Sequence, residues 1–297
     1  MKVSRRDFTV LAGASVLVRP AMAQTTAGPL LTRAIPSSGE RIPAVGLGTA
    51  YVFDNNSEKT RREAADVVRA LIDGAGRLID TASSYGDAEE VLGQVIRQAG
   101  ARDKLFLATK LEEPDPAELK RSLTRLKTPK VDLLQFHNVS DPRQSLARFK
   151  DWKAQGICRY IGVTSTFHGQ FGAIEAVLGR EKPDFVQIDY SIDNREAEKR
   201  ILPLAAEVKA GVLTALPFGR ARLFRAVAGK PVPEWAQGFA VSWAQFFLKF
   251  LLADDRITAV IPGTSNAAHM TDNLGAARGA LPDPDQRKRM LAFVESL

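Results

Sequence analysis

The amino-acid sequence predicts an α/β protein, and specifically a (β/α)8 TIM barrel with a short N-terminal β-hairpin. Eight short apolar runs alternate along the chain with stretches in which apolar residues recur at helical spacing. Short apolar runs joined by helices are typical of buried parallel strands, and eight such units can close into a barrel. The length of 297 residues fits one barrel, so a second domain is not needed. The predicted strands are residues 45–47, 78–80, 105–109, 133–136, 160–163, 185–188, 211–215 and 258–261.

The intervening stretches predict the helices that connect these strands. They cover residues 57–74, 88–98, 116–126, 142–155, 169–178, 196–210, 239–251 and 284–296. In two of them an aspartate precedes a proline, Asp115 before Pro116 and Asp141 before Pro142. This pairing is typical of an N-cap followed by the first helical residue. We therefore expect helices to begin at both prolines.

The chain before the first barrel strand carries a hairpin pattern, and the first strand lacks the signature of the rival fold. Residues 32–35 and 41–43 flank Ser37-Ser38-Gly39, which has the composition of a turn. An open doubly wound sheet that binds a dinucleotide would carry Gly-x-Gly-x-x-Gly after its first strand. Here Gly46-Leu47-Gly48 is followed by Thr49-Ala50-Tyr51, so the third glycine is missing. The closed barrel is therefore the preferred architecture.

Residues 1–23 have the layout of a signal peptide. Arg5-Arg6-Asp7-Phe8 is followed by an apolar stretch at 10–18 and by Ala-Met-Ala at 21–23, a cleavage site of the A-x-A type. The paired arginines resemble the twin-arginine export signal. The apolar stretch is too short to span a bilayer, which takes about 20 residues.

We therefore expect export by the twin-arginine machinery, cleavage after Ala23 and a periplasmic mature protein without a stable membrane anchor. Residues 24–31 would then be a linker, and residues 32–297 the barrel domain. The alternative interpretation of the first residues is a helical extension of a cytosolic enzyme.

The charge distribution gives no reason to expect a nucleic-acid partner. The formal net charge is +7, of which +3 falls within residues 1–23. The remaining basic residues are scattered among acidic ones and form no stripe with interleaved aromatic residues. Cys158 is the single cysteine, so it forms no internal disulfide, and a buried place near a strand is expected for it.

Polar side chains lie where the second, third and fourth predicted strands end. Asp80 ends the second strand, Lys110 follows the third and His137 follows the fourth. Tyr85 lies in the loop after the second strand. In a β/α barrel the functional residues lie at the C-terminal ends of the strands, so these four side chains can meet in one pocket.

The four side chains suit the delivery of a proton to a carbonyl oxygen while hydride reaches the carbon. A free tyrosine has a pKa of about 10 and is a poor acid near neutrality. We expect the Lys110 ammonium to lower the pKa of Tyr85 and Asp80 to hold that ammonium charged and in place. His137 can orient and polarise the carbonyl oxygen.

Each of these residues also has a simpler explanation when it is considered alone. An aspartate after a strand is most often a helix cap, a lone lysine is usually solvated, and a lone histidine is usually structural. A metal site is not expected, because neither His168 nor His269 stands at ligand spacing from His137. No serine or cysteine stands in a nucleophile elbow.

Longer motifs accompany these residues, and with them residues 32–297 resemble the aldo-keto reductase family. The motifs are Gly46-Leu47-Gly48-Thr49, Asp80-Thr81-Ala82 with Tyr85-Gly86, Thr109-Lys110, Gln135-Phe136-His137-Asn138, Ile161-Gly162-Val163-Thr164-Ser165, Val186-Gln187-Ile188-Asp189-Tyr190-Ser191, Pro217-Phe218-Gly219-Arg220 and Ile261-Pro262-Gly263-Thr264-Ser265 through Asp272-Asn273. The resemblance implies a catalytic tetrad and a nicotinamide dinucleotide bound along the open face of the barrel. The tetrad would be Asp80, Tyr85, Lys110 and His137.

The resemblance also implies which residues surround this cofactor. Ser165 and Gln187 would hold the carboxamide, Tyr190 would stack on the nicotinamide ring, and residues 216–220 would run along the pyrophosphate. The implied residues are Ser165, Gln187, Tyr190, Leu216, Phe218, Arg220, Ile261, Gly263, Thr264, His269, Asp272 and Asn273, of which the last six would surround the adenosine half. Without the resemblance, Tyr190 would be interpreted as a core residue and Gln187 as a strand-end cap.

Several positions depart from the family pattern. Ser165-Thr166 replaces a serine–asparagine pair that binds the carboxamide. Gly263 and His269 stand where many members place a lysine or arginine against the 2′-phosphate. NADP(H) therefore remains the preferred cofactor by a smaller margin, and NAD(H) is the alternative. Ala50 and Asn138 stand where many members carry tryptophan, which opens the substrate pocket.

Two functions follow from this pattern. The first is NADP(H)-dependent reduction of a small carbonyl substrate, an aldehyde or ketone, to an alcohol with Tyr85 as general acid. The second is a cofactor-binding sensor or accessory protein with little turnover. The complete tetrad favours the enzyme, whereas a periplasmic location offers no obvious supply of reduced cofactor.

Overall fold

The computed structural model describes residues 28–297. The predicted signal peptide and residues 24–27 of the predicted linker lie outside the described residues. Within the part that the structure describes, no helix is long and apolar enough to cross a membrane.

A β-hairpin closes one end of the molecule, as the sequence predicts. Strand β1 (Thr32–Ala34) pairs antiparallel with β2 (Arg41–Pro43). Ile35 and Ile42 belong to one buried apolar cluster with residues from the barrel strands. The strand residues of this cluster include Leu78, Phe106, Leu133, Tyr160, Phe185 and Leu213. The hairpin therefore plugs the N-terminal end of the barrel and leaves the C-terminal end for a site.

Eight parallel strands follow in the order of the chain, so the predicted α/β barrel is confirmed. Each strand pairs with its sequence neighbour, from the first barrel strand to the last. Backbone bridges from Val45 to Val260 and from Gly48 to Gly263 join the first strand to the last. The strands are β3 (Leu47–Gly48), β4 (Leu78–Asp80), β5 (Phe106–Leu111), β6 (Val131–Phe136), β7 (Cys158–Ser165), β8 (Phe185–Asp189), β9 (Gly211–Ala215) and β10 (Ala259–Val260).

The barrel closes at a point where there is no room for a side chain. A Cβ atom on Gly48 would lie 2.8 Å from the carbonyl oxygen of Ile261. The Gly48 amide instead donates to the carbonyl oxygen of Pro262 at 3.0 Å. Glycine at this position therefore lets the first and last strands approach closely enough to exchange hydrogen bonds.

The helices surround this barrel. They are α1 (Glu58–Asp73), α2 (Ala88–Gln98), α3 (Pro116–Arg125), α4 (Ala147–Ala154), α5 (Phe171–Glu181), α6 (Ile201–Glu207), α7 (Arg222–Ala226), α8 (Trp243–Leu252), α9 (Ala267–Gly275) and α10 (Pro284–Glu295). The short helix α7 and helix α9 were not predicted from the sequence. Asp115 caps α3 as predicted, since its side chain accepts a hydrogen bond from the amide of Ala117.

Two helix starts differ from the prediction. Asp141 caps a turn instead of a helix, because its carboxylate accepts from the amide and guanidinium of Arg143, and α4 begins only at Ala147. The predicted helix at 196–210 is split into a 3-10 turn and α6. Pro203 lies in the first turn of α6, the part of a helix where a missing amide donor is tolerated, so the helix begins there.

Candidate active site

Strand pairing places the four predicted catalytic side chains on one rim of the barrel. Asp80 pairs with Ala108, and Lys110 pairs with Gln135 on the next strand. His137 follows β6 directly, and its amide donates to the carbonyl oxygen of Leu111 at 2.8 Å. The parallel register therefore brings the ends of β4, β5 and β6 to the same edge.

The centre of the site is a buried lysine with three oxygen neighbours. Lys110 Nζ donates to Asp80 Oδ2 at 2.6 Å and to the carbonyl oxygen of Thr81 at 2.7 Å. It also lies 3.4 Å from the phenolic oxygen of Tyr85. Asp80 and Lys110 are both fully buried. A buried ammonium requires such partners, because an unpaired charge is strongly disfavoured in the interior.

These contacts set the protonation of the lysine and the phenol. Burial opposes the charge on Lys110, but Asp80 and Tyr85 together outweigh it and raise the lysine pKa. The pKa of Tyr85 is raised, mainly by burial, although Lys110 acts to lower it. The expectation of a net lowering at Tyr85 is therefore wrong, because the cost of burying a phenolate exceeds the effect of the nearby ammonium. Tyr85 remains a protonated phenol near neutral pH.

Two buried glutamines extend this network towards the next strands. Gln135 Nε2 donates to Gln187 Oε1 at 2.8 Å and lies 3.3 Å from Asp80 Oδ1. Gln187 Nε2 donates to Asp80 Oδ2 at 3.2 Å. No role was predicted for Gln135 from the sequence. A polar residue two positions before His137, within the otherwise apolar predicted strand at 133–136, was the feature that could have indicated one.

His137 has a carboxylate partner that the sequence analysis also missed. Glu112 accepts a short hydrogen bond from His137 Nδ1. The rings of His137 and Tyr85 meet edge to face, with 5.7 Å between their centroids. Glu112 lies two residues after Lys110, one residue beyond the end of β5.

The structure contradicts the stacking role that the resemblance implied for Tyr190. The side chain is completely buried. Its hydroxyl donates to Glu198 at 2.5 Å and accepts from Arg287 at 2.7 Å. A ring without an accessible face cannot stack on a cofactor at the rim, so Tyr190 is a core residue.

Ser165 lies at the end of β7, where its hydroxyl already has two partners. It donates to Gln170 Oε1 at 2.5 Å and accepts from the amide of Phe167 at 3.1 Å. Ser165 is buried, so a carboxamide contact would require it to exchange one of these bonds.

The loop after β9 has an unusual backbone. Leu216, Gly219, Arg220 and Ala221 all have positive φ angles, between 53° and 63°. Within the described chain, the amides of Phe218, Arg220 and Ala221 donate to no acceptor. Arg220 is exposed, with its guanidinium 5.7 Å from the ring centroid of Tyr51. Free amides beside a guanidinium suit an anionic group.

The segment after β10 divides into exposed and buried positions. Gly263 and His269 are exposed, whereas Ile261, Thr264 and Asn273 are buried. The carboxylate of Asp272 joins α9 to α8, since it accepts from Ser242 at 2.7 Å and from Gln245 at 2.8 Å. Asp272 thus has structural partners in addition to any contact with a ligand.

The rim also carries exposed aromatic side chains beside the small residues noted in the sequence. Tyr51 is 78% exposed and Phe167 is 54% exposed. They lie in the loops after β3 and β7. Ala50 and Asn138 are half-buried.

Comparison with known proteins decides what this barrel is. Residues 44–290 match the family model described as the Aldo/keto reductase family. The chain belongs to this family. It is therefore an NAD(P)H-dependent oxidoreductase, and the fold and the rim geometry agree with that assignment.

Its relatives include two bacterial oxidoreductases. The methylglyoxal reductase YeaE of Escherichia coli is 29% identical over 244 residues, which cover 78% of this chain and 84% of that protein. The aldo-keto reductase YhdN of Bacillus subtilis is 31% identical over 209 residues, which cover 62% of this chain and 60% of that protein.

Solved structures share the same fold. An aldo-keto reductase from Klebsiella pneumoniae in complex with NADPH superposes with a TM-score of 0.73 at 24% identity, covering 89% of this chain and 95% of that one. The thermostable aldo-keto reductase Tm1743, in complex with the inhibitor epalrestat, gives the same TM-score at 25% identity and covers 89% of this chain and all of that one.

Proposed function

We propose that this protein uses NADPH to reduce small aldehydes or ketones to alcohols, and that Tyr85 donates the proton to the carbonyl oxygen. The observation that carries this proposal is the contact chain from Asp80 through Lys110 to Tyr85 at the open rim, with His137 beside it. A phenol, an ammonium and an imidazole meet there at a partly buried site, where hydrogen bonds to a developing oxyanion are strong.

The described residues fit a nicotinamide dinucleotide. The free amides of Phe218 and Arg220 and the Arg220 guanidinium would hold the pyrophosphate. The exposed positions Gly263 and His269 lie where the 2′-phosphate of NADP(H) would be expected. Gln187 is buried and bonded to Gln135 and Asp80, so it would have to exchange one of these hydrogen bonds to meet the carboxamide. When bound, the nicotinamide supplies hydride to the carbonyl carbon.

NADP(H) is the preferred cofactor. The Klebsiella pneumoniae structure contains NADPH, and a second one from the same organism contains NADP and acetate, which supports NADP(H) here. NAD(H) is the alternative, because Gly263 and His269 provide no permanent positive charge.

The raised pKa of Tyr85 suits the reductive direction. Burial, the largest cause, keeps the phenol protonated near neutral pH, so the proton is in place before a carbonyl substrate binds. Lys110 then stabilises the phenolate that remains after proton transfer, and Asp80 keeps that lysine charged. The reverse reaction requires the phenolate first, so alcohol oxidation should favour more alkaline pH.

The relatives support a small and reactive carbonyl compound as the substrate. YeaE, named a methylglyoxal reductase, makes dicarbonyl compounds suitable members of a test panel. Ala50 and Asn138 are small, half-buried residues in the loops after β3 and β6, so we propose that selectivity for substrate size is weak.

The test is NADPH oxidation with a panel of aldehydes, quinones and methylglyoxal. Wild-type protein should turn over many times, and Tyr85→Phe should lose about 10²- to 10⁴-fold in kcat/KM, the usual contribution of a general acid. Tyr160→Phe is the matched control. Its hydroxyl contacts Ser38 and Glu40 at the closed end of the barrel, so its activity should be unchanged. Tight NADPH binding without turnover on any substrate would contradict the proposal and favour the sensor role.

We also propose that the protein is exported through the twin-arginine machinery and acts in the periplasm. The proposal rests on the motif at residues 5–8 and the cleavage site at 21–23.

A further inference from the structure

Glu112 lies next to His137 because of the register between β5 and β6. Leu111 pairs with Phe136, and these are the last residues of their strands. Glu112 follows Leu111 directly, and His137 follows Phe136 directly. The His137 amide donates to the carbonyl oxygen of Leu111, which holds the two chains together at this point.

Both carboxylate oxygens of Glu112 face the segment that follows β6. Oε1 accepts from His137 Nδ1, and Oε2 lies 3.4 Å from Asn138 Nδ2. Ser84 Oγ lies 3.5 Å from the same Nδ1. The backbone of Glu112 is itself fixed, since its amide donates to Glu118 Oε1 at 3.0 Å. This carboxylate is therefore held in place as a partner of the histidine.

The second ring nitrogen is left for another partner. His137 Nε2 forms no hydrogen bond with any residue in the described range 28–297. The ring is 10% exposed and meets Tyr85 edge to face. Nε2 is therefore available to a small molecule that approaches the phenol.

The carboxylate determines which ring nitrogen carries a proton. The hydrogen bond from His137 is the main reason why the pKa of Glu112 falls to about 2, so Glu112 is an anion that only accepts. Nδ1 must then be protonated. A neutral ring with its proton on Nδ1 has a lone pair on Nε2 and cannot donate to a carbonyl oxygen. A doubly protonated ring can donate.

We propose that Glu112 is a positioning residue that fixes the orientation of the His137 ring, with the Nδ1 proton on its carboxylate and Nε2 turned towards the carbonyl substrate. When the ring also carries a proton on Nε2, that N–H is a second donor to the carbonyl oxygen, beside the phenol of Tyr85. This inference rests on the proposed carbonyl reduction for its catalytic consequence, but the state of the ring is independent of turnover.

The other charged groups around the ring do not replace this carboxylate. Lys110 and Asp80 form their own pair at 2.6 Å. Tyr85 is a neutral phenol near neutral pH, because burial raises its pKa. The carboxylate of Glu118 on α3 binds the backbone amides of Glu112 and Glu113. Glu112 is thus the carboxylate in contact with the ring among the described residues.

The test compares Glu112→Gln with Glu113→Gln. Both changes remove one negative charge and keep the side-chain size, but the Glu113 side chain is exposed and contacts no described partner. Glutamine at 112 keeps a hydrogen-bond acceptor for Nδ1 without the charge. Glu112→Asp keeps the charge and should restore the wild-type behaviour in part.

The first readout is ¹⁵N NMR of the histidine rings at neutral pH, with His137 assigned through a His137→Asn variant. Wild type and Glu113→Gln should show a proton on His137 Nδ1 with the strongly downfield proton signal of a hydrogen bond to a carboxylate, and Glu112→Gln should lose that downfield shift. Identical His137 signals in wild type and Glu112→Gln would overturn the proposal, as would a wild-type ring without a proton on Nδ1.

The second readout is the pH profile of kcat/KM for carbonyl reduction. Because a hydrogen bond to a charged group is stronger than one to a neutral group, kcat/KM of Glu112→Gln should fall about tenfold below wild type at mildly alkaline pH and less at mildly acidic pH. A uniform loss at every pH would indicate a merely structural role and would contradict the proposal. If the wild type reduced no carbonyl compound, the reductase assignment would fail, while the NMR comparison would still decide the role of Glu112.

Discussion

Replacement of Lys110 by methionine should separate the structural role of the buried ion pair from its catalytic role. The ammonium is wholly buried and donates to Asp80 and to the carbonyl oxygen of Thr81. Its loss leaves Asp80, which is 2% exposed, with the amides of Gln135 and Gln187 as its remaining partners within residues 28–297. Removing one partner of a buried pair costs about 3–5 kcal/mol, so the melting temperature should fall by roughly 10 °C.

The double variant Asp80→Asn with Lys110→Met should recover most of this loss. It removes both charges together, and a buried pair replaced as a unit is often close to neutral, so we expect stability within about 2 kcal/mol of wild type. Activity should not recover, because the phenolate of Tyr85 would still lack its neighbouring ammonium. Both variants should lose about 10²- to 10⁴-fold in kcat/KM.

Lys249→Met is the matched control for the single variant. Lys249 is also fully buried, in α8, and donates to the carbonyl oxygens of Arg278 and Ala280. Burial lowers its pKa to about 8, and its hydrogen bonds go to backbone carbonyls, with no carboxylate among them. Methionine there removes a charge that burial already disfavours, so the loss should be at most about 2 kcal/mol, with full activity.

The assays are chemical unfolding for stability and initial rates of NADPH oxidation for activity. We expect strong coupling between Asp80 and Lys110 in a double-mutant cycle. If the double variant lost as much stability as Asp80→Asn alone and Lys110→Met alone added together, the buried pair would not be the stabilising unit. Full activity in folded Lys110→Met would refute the role of the ammonium.

Two further predictions concern packing and the N-terminus. A Cβ on Gly93 would overlap the carbonyl oxygen of Arg125, so Gly93→Ala should destabilise the protein by about 1–3 kcal/mol at the contact of α2 with α3. Gly179 in α5 has open space around it, so Gly179→Ala should stabilise the protein by about 0.5 kcal/mol. Equal melting temperatures for the two variants would contradict this packing account. Intact-mass measurement of protein from the periplasmic fraction should find a chain that begins at Gln24, and a chain that begins at Met1 would disprove the proposed cleavage.

Sequence patterns were sufficient to predict the barrel and the rim on which the candidate site lies. Asp80 and Lys110 stand at or near the ends of apolar strands, where a charged residue needs a partner. The parallel register of a barrel then brings neighbouring strand ends together. These features depend on local periodicity and on the rules of one fold, so they can be predicted from one chain.

The errors concern features that depend on contacts distant in sequence. Tyr190 is buried because Glu198 and Arg287 bind its hydroxyl, and the latter lies on the last helix. The pKa of Tyr85 depends on how completely the surrounding residues exclude water, which the sequence does not state. Glu112 was missed because its meeting with His137 requires the exact pairing of β5 with β6.

The most direct test of the central claim is a single turnover with NADPH-saturated protein. Wild type and Tyr85→Phe should bind NADPH equally, since the phenol is the only group changed. After rapid mixing with one aldehyde, the wild type should consume one equivalent of NADPH, and the variant should do so about 10²- to 10⁴-fold more slowly. Equal rates in the two proteins would contradict the assignment of Tyr85 as the proton donor.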